Sequence, residues 1–187
     1  MAEKSEDRAP REAPLVKPEE GSAQETLPQE TGVVTEKFLI FSLRGELYTL
    51  PSGIIGEVTV LEKVFPMPLV PVYVRGLINR YSIPYALIDI SLFLNKEASD
   101  TKKAIILKDD FEKIAFLIDD VIDITEVPSS KLVKIEKETD HPTKSPSGGF
   151  NPSINACFEC DGKSVLCLDT EELIGSIKKG FEREVIK

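Results

Sequence analysis

From Phe38 to Leu168 the chain is a succession of short apolar runs cut by turn residues. Phe38 to Leu43 predicts a strand, Arg44-Gly45 a turn, and Leu47 to Leu50 the return. Pro51-Ser52-Gly53 breaks the chain before the run from Ile54 to Leu61. Pro66, Pro68 and Pro71 then exclude a regular strand or helix interior, because proline lacks the amide donor. Val72 to Ile78 and Ile83 to Ile90 read as two strands joined by a reversal. Gly76 and Asn79 stand where backbone freedom or side-chain-to-backbone bonding would serve that reversal. Ser91 to Leu94 reads as a short helical turn.

Farther on, Ala104 to Leu107 and Lys113 to Val121 flank Asp109-Asp110, a hairpin signal. Ile122 to Val127 continues in extended form, and Pro128-Ser129-Ser130 can open one helical turn. Residues 136–152 hold Pro142, Pro146 and Pro152 with Gly148-Gly149, and read as a loop. Ile154 to Cys160 and Lys163 to Leu168 flank Asp161-Gly162, a strong two-residue hairpin turn. That turn sets Cys160 opposite Lys163, Phe158 opposite Val165 and Ala156 opposite Cys167. A helix closes the pattern. Asp169 can cap it, with Glu172 as the reciprocal partner, and Leu173, Ile174, Ile177 and Phe181 form an apolar stripe. Gly175 and Gly180 weaken that helix. Many short strands with little helix predict barrels or sandwiches, not a parallel sheet.

Composition divides the chain. Residues 1–36 carry Pro10, Pro14, Pro18 and Pro28, no aromatic residue, and nine acidic against four basic residues. Such a segment cannot bury enough apolar surface to offset its ordering entropy. It is expected to be a disordered acidic tail, a charged interaction arm or repulsive spacer being the alternative. Residues 37–180 then hold the fold and 181–187 a helix end or tail. The whole chain has 187 residues, 41% hydrophobic content and a net charge of −9. The acidic balance argues against nucleic-acid binding, which needs a basic surface, and against adsorption to an anionic membrane. No apolar run approaches the roughly 18 residues that span a bilayer. Met1 to Ser22 lacks the apolar core of a secretory signal, and three cysteines do not make a disulfide framework. The expected compartment is the cytoplasm.

Candidate chemistry is thin. The single histidine, His141, lies in the Pro-rich loop, and a phosphorylatable histidine normally sits on a helix. Gly148-Gly149 lacks the Lys-Ser or Lys-Thr of a phosphate loop. Adjacent carboxylates on a strand, as in Asp119-Asp120, point to opposite faces and do not converge on one atom. Cys157-Phe158-Glu159-Cys160 has the spacing of a zinc or redox pair. The hairpin register, however, puts Cys160 and Cys167 on one face and Cys157 on the other. The thiols therefore read as small apolar residues. No metal, cofactor or catalysis is expected.

Several segments, taken in order, resemble the CheW family of bacterial chemotaxis adaptors. They are Phe38 to Leu43, Tyr48-Thr49-Leu50-Pro51, Ile55-Gly56-Glu57-Val58, Pro71 to Asn79 with Val74-Arg75-Gly76-Leu77-Ile78-Asn79 at its centre, Leu87-Ile88-Asp89, Leu117 to Ile124, Asp161-Gly162-Lys163, and Leu166 to Asp169 with Leu173-Ile174. The resemblance covers about residues 37 to 178. It implies a mainly β fold: two packed five-stranded SH3-like β-barrels with short helices and a C-terminal helix. It also implies an adaptor that couples chemoreceptors to a histidine kinase without catalysis. The implied partners are a CheA-type histidine kinase and the cytoplasmic tips of methyl-accepting chemotaxis receptors, the latter in a groove between the barrels.

By position, Ile55, Glu57 and Val58 would face a partner, Gly76 and Asn79 would shape the groove, and Arg75, Arg80 and Tyr81 would complete the partner-binding set. For Ile55 and Val58 the barrel core is the competing assignment; for Gly76 it is a backbone requirement. Asp89 is expected to bond backbone at a strand end. The family continues after the asparagine with Leu-Arg-Gly; here Arg80-Tyr81-Ser82 stands instead. The family arginine, often implicated in coupling, falls on Tyr81. In extended chain Arg80 would face the opposite side, which points to a divergent paralogue. Two alternatives stand beside this: a stand-alone β-barrel module outside chemotaxis that binds an extended peptide at a sheet edge, and an enzyme using Cys157 or Cys160. On the adaptor reading, Tyr81→Arg is expected to strengthen capture of a CheA-type kinase or receptor in a pull-down, and no gain would count against the divergence.

Overall fold

The computed structural model describes residues 34–135 and 153–185. The acidic segment before them, the Pro-rich loop with His141, and the last two residues lie outside the described residues. Eleven strands and two helices follow in order: β1 (Thr35–Leu43), β2 (Glu46–Pro51), β3 (Ile55–Val60), β4 (Val74–Arg80), β5 (Ile83–Asp89), α1 (Ile90–Phe93), β6 (Lys103–Leu107), β7 (Ile114–Ile118), β8 (Asp120–Pro128), β9 (Val133–Lys134), β10 (Ile154–Cys160), β11 (Lys163–Leu168) and α2 (Thr170–Val185). They form a six-stranded sheet ordered β8-β1-β2-β11-β10-β9 and a five-stranded sheet ordered β3-β6-β7-β5-β4. No backbone ladder joins β8 to β9 or β3 to β4 among the described residues. The expected pair of closed five-stranded barrels is thus observed as two open, unequal sheets.

Each sheet buries both faces. On β1, Phe38 and Ile40 pack into a cluster with Val127, Phe158 and Val165 of their own sheet. Leu39, Phe41 and Leu43 point the other way, into a core shared with Ile88, Ile105, Phe116 and Ile118 of the second sheet and Leu173 and Ile177 of α2. The second sheet has its own smaller cluster of Ile78, Leu87, Ala104, Ile106, Ala115 and Leu117. Strand side chains alternate between faces, so a strand buried on both faces must be apolar without interruption. This is why Lys103–Leu107 and Ile114–Ile118 read as continuous runs.

Two boundaries differ from the sequence reading. β1 begins at Thr35, within the compositionally defined tail, because Thr35 and Glu36 pair with Pro128 and Val127 on β8. The apolar run from Lys113 to Val121 breaks at Asp119, where the chain leaves one sheet for the other. There the Asp119 amide donates to the Ser42 carbonyl at 3.0 Å and its carboxylate accepts from the Arg44 amide at 2.5 Å. The Asp161-Gly162 hairpin has the expected register, with Cys160 opposite Lys163, Phe158 opposite Val165 and Ala156 opposite Cys167. Asp161 and Gly162 both have positive φ, +50° and +72°, as this turn type requires.

Helix α2 is capped by Asp169, whose carboxylate accepts from the Glu172 amide at 3.1 Å. The reciprocal half of the expected box is absent: the Asp169 amide goes to the Ser153 carbonyl, and the Glu172 carboxylate accepts from the Ser176 hydroxyl. Leu173 and Ile177 are buried, with Ile174 and Phe181 packed beside them. Gly180 has a specific role, since a Cβ there would lie 1.7 Å from the Tyr73 hydroxyl oxygen. Gly175 has open space around it.

These glycines differ in expected cost. Gly76 has φ +134°, and a Cβ there would sit 2.2 Å from the Phe65 carbonyl oxygen. Gly76→Ala should lower unfolding free energy by about 3 kcal/mol through backbone strain and overpacking. Gly175→Ala should raise it by about 1 kcal/mol through helix propensity. Urea titrations of the two variants check both signs.

Candidate functional site

Strand β3 carries three of the predicted partner-facing residues, and the structure separates them. A register shift at Gly56 sets Ile55 opposite Leu107, Glu57 opposite Ile106 and Val58 opposite Ile105. Ile55 is half-buried and packs on the shared core, so the core assignment holds for it. Val58 is 41% exposed and Val60, opposite Lys103, is 62% exposed. Glu57 points toward the other face of the sheet.

Glu57 meets Arg80 across the open seam between β3 and β4. Arg80 Nε donates to Glu57 Oε2 at 3.1 Å, and Nη2 donates to Oε1. This two-pronged geometry is the strong form of an arginine–carboxylate contact. Arg80 Nη2 also donates to the Tyr81 hydroxyl at 3.3 Å, with the guanidinium carbon 4.6 Å from the Tyr81 ring centroid. The expectation that Arg80 and Tyr81 face opposite ways is therefore incorrect. Tyr81 and Ser82 form the reversal between β4 and β5 with φ of +49° and +65°, so the alternation of extended chain ends at Arg80. Arg80, next to Tyr81, thus reaches the Glu57 carboxylate from the end of β4. Tyr81 itself is 78% exposed.

Asn79 does not shape that turn. It is exposed within β4 opposite Pro84, and its side chain makes no hydrogen bond among the described residues. Arg75 and Gly76 sit near the other end of β4, roughly 15 Å from Arg80 at strand rise. Gly76 lets the Phe65 backbone approach and exchange hydrogen bonds with Leu77, Phe65 N to Leu77 O and Leu77 N to Phe65 O, each 2.8 Å. Arg75 Nη1 lies 3.5 Å from Asp89 Oδ2. Asp89 is fully buried and, as expected, bonds backbone: it accepts from the Leu92 amide at 3.3 Å, capping α1, and from the Ser99 amide at 3.0 Å.

The sheet registers add Val60 and Ile124 to the predicted Val58. Val58 and Val60 project to the side of their sheet that bears Ile105, the shared-core side. On β8, Ile124 pairs with Leu39 and so projects to the shared-core side of the other sheet; it is 53% exposed. Asp120 on β8 pairs with Lys103 on β6, an ion pair linking the two sheets beside Val60. The shared-core side of each sheet thus runs beyond the buried core into solvent, at Val58 and Val60 on one sheet and at Ile124 on the other. The alternation of Val58 and Val60 carried this signal; Ile124 needed the β1–β8 register.

The scan against protein families finds that the CheW-like domain matches residues 37–178. The chain belongs to the CheW-like domain family. Among solved structures, it is similar to the scaffolding protein TtCheW from Thermoanaerobacter tengcongensis. That likeness has a TM-score of 0.60 and 19% identity, over 72% of this chain and 89% of that one. No curated protein sequence matches this CheW-like chain. Among its described residues, no group of three or more His, Cys, Asp or Glu is placed to hold a metal ion, and no helix is long and apolar enough to cross a membrane. Cys167 is buried, and burial pushes its thiol up to about 12, away from the thiolate that a nucleophile needs.

Two exposed carboxylates are held below the usual range. Lys113 and then the Tyr85 hydroxyl act on Asp109, and Lys103 acts on Asp120. A depressed folded-state pKa gives stabilisation present above the unfolded value near 3.9 and lost as pH falls through the folded value. Lys103→Gln should therefore move the Asp120 titration midpoint up toward an ordinary aspartate, followed by carboxyl carbon NMR. An unmoved midpoint would show that the link between the sheets does not persist in solution.

Proposed function

We propose that this chain is a chemotaxis adaptor of the cytoplasm that docks between a CheA-type histidine kinase and the cytoplasmic tips of methyl-accepting receptors, transforming nothing itself. The family match over residues 37–178 carries this reading. In it, each curled sheet stands for one SH3-like barrel. The apolar margin of Val58, Val60 and Ile124 takes an apolar helix face of a receptor, and the Glu57–Arg80–Tyr81 cluster meets the kinase. A patch of this kind is small, and tethering within an array raises its effective concentration.

The edge position of β3 also favours the peptide-binding alternative, since an edge strand offers unpaired backbone groups to an extended segment. Calorimetry with the source cell's kinase regulatory domain and a receptor-tip fragment, run with and without residues 1–36, separates the readings. The deletion tests whether the acidic tail contributes. Binding to neither partner would leave the adaptor reading without support.

Within the adaptor reading, Arg80→Glu should weaken kinase binding about tenfold, equivalent to about 1.4 kcal/mol. The swap of Glu57→Arg with Arg80→Glu should recover most of the loss. A swap no better than the single variant would remove the ion pair from the interface.

A further inference from the structure

Arg75 lines a cavity of about 510 Å³ beside the 61–66 segment, apart from the Glu57–Arg80 cluster. Its floor is apolar: Leu87 and Leu117, both buried in the second sheet's own core, with Leu61, Val64 and Pro66 around them. The volume falls in the range of small-ligand and side-chain sites, which join an apolar lining to a few fixed polar groups. The rim charges cancel, Lys63 and Lys102 standing against Glu62 and Asp100. The Ser99 and Thr101 hydroxyls in the lining bond to Asp119 and the Ile118 carbonyl, which leaves Arg75 as the charged group that remains.

Its guanidinium has five N–H donors, and Asp89, reached through Nη1 at 3.5 Å, is its one partner among the described residues. Asp89 is already held by the Leu92 and Ser99 amides. The rest of the guanidinium fork is open, and the Arg75 side chain is 38% exposed. Its ion pair with a buried carboxylate restrains it beside the cavity before any ligand arrives. A restrained, half-open guanidinium above an aliphatic floor matches a carboxylate carried on a short aliphatic body, because arginine bonds carboxylates through two parallel N–H groups.

We infer that this cavity binds an aliphatic carboxylate presented by a peptide segment of a partner: an acidic side chain seated on Arg75, with flanking leucine-like side chains on Leu87 and Leu117. The experiment titrates ¹⁵N-labelled full-length protein with three probes. They are the capped peptide acetyl-Leu-Glu-Leu-amide, N-acetyl-leucine, and the neutral N-acetyl-leucine amide. Saturable shifts at Gly76, Ser99 and Thr101 are expected for the first two, with the neutral amide at least tenfold weaker. The peptide binding tighter than N-acetyl-leucine supports a partner segment. The reverse order assigns the cavity to free small acids and overturns the partner source.

Arg75→Lys, which keeps a charge beside Asp89 but loses the fork, should weaken the peptide about tenfold. Should that variant unfold, Val64→Glu at the mouth, which leaves Asp89 untouched, should abolish the shifts by repulsion. Shifts that persist in both folded variants, or a neutral amide binding as well as the acid, overturn the inference. Neither kinase nor receptor enters this test, so its failure is distinct from failure of the adaptor reading.

Discussion

The two sheets are held by one apolar layer that neither can bury alone. β1 gives it Leu39, Phe41 and Leu43; β6 gives Ile105 and Leu107; β7 gives Ile114, Phe116 and Ile118; and α2 closes it with Leu173 and Ile177. Burying one such side chain contributes roughly 1.5–3 kcal/mol, so separating the sheets would expose far more apolar surface than a small domain's net stability can offset. On β6 and β7 the residues turned into the second sheet's own cluster are Ala104, Ile106, Ala115 and Leu117, while the shared layer takes Ile105, Leu107, Ile114, Phe116 and Ile118.

Polar residues pin the ends of this layer. Asp89 caps α1 and takes the Ser99 amide. The Ser99 hydroxyl donates to Asp119 at 2.8 Å and lies 3.1 Å from the Thr101 hydroxyl, which donates to the Ile118 carbonyl. Asp119 also takes the Arg44 amide at the β1–β2 turn. The chain's passage from one sheet to the other is thus tied to the loop before β6 and to a turn of the opposite sheet. A buried carboxylate is costly unless its oxygens are matched; Asp89 meets that condition with two amides and a guanidinium.

What the sequence made legible was local. Asp161-Gly162 fixed its hairpin register because few residues accept two successive positive φ values, and Asp169 with its apolar stripe located α2 for a similarly short-range reason. Two kinds of feature were hidden. Non-local pairing was one: β5 runs parallel to β7 and β2 parallel to β11, and no spacing announces a strand switching sheets inside the run from Ile114 to Val121. Unusual backbone was the other. Tyr81 and Ser82 adopt left-handed conformations without a glycine, which is uncommon, so alternation carried past Arg80 gave the wrong side. At the site, Glu57, Val58, Arg80 and Tyr81 were readable from family position. Ile124 and Lys103 become visible only when two sheets are placed face to face.

The open edges follow from the same economy. A closed barrel removes its edges by backbone pairing; here the Glu57–Arg80 ion pair spans from β3 to β4, and the Phe65 backbone between those strands pairs with Leu77 of β4 alone. Side-chain closure leaves β3 with an unpaired edge while holding the curl of the sheet. The shared-core face of β3 then emerges as Val58 and Val60, beside a Lys103–Asp120 pair that keeps its margin soluble. The exposed apolar residues are therefore an extension of the core past the point where the chain can cover it. A surface made that way inherits the rigidity of the layer behind it, so that a partner laid along it would have little on this side to order.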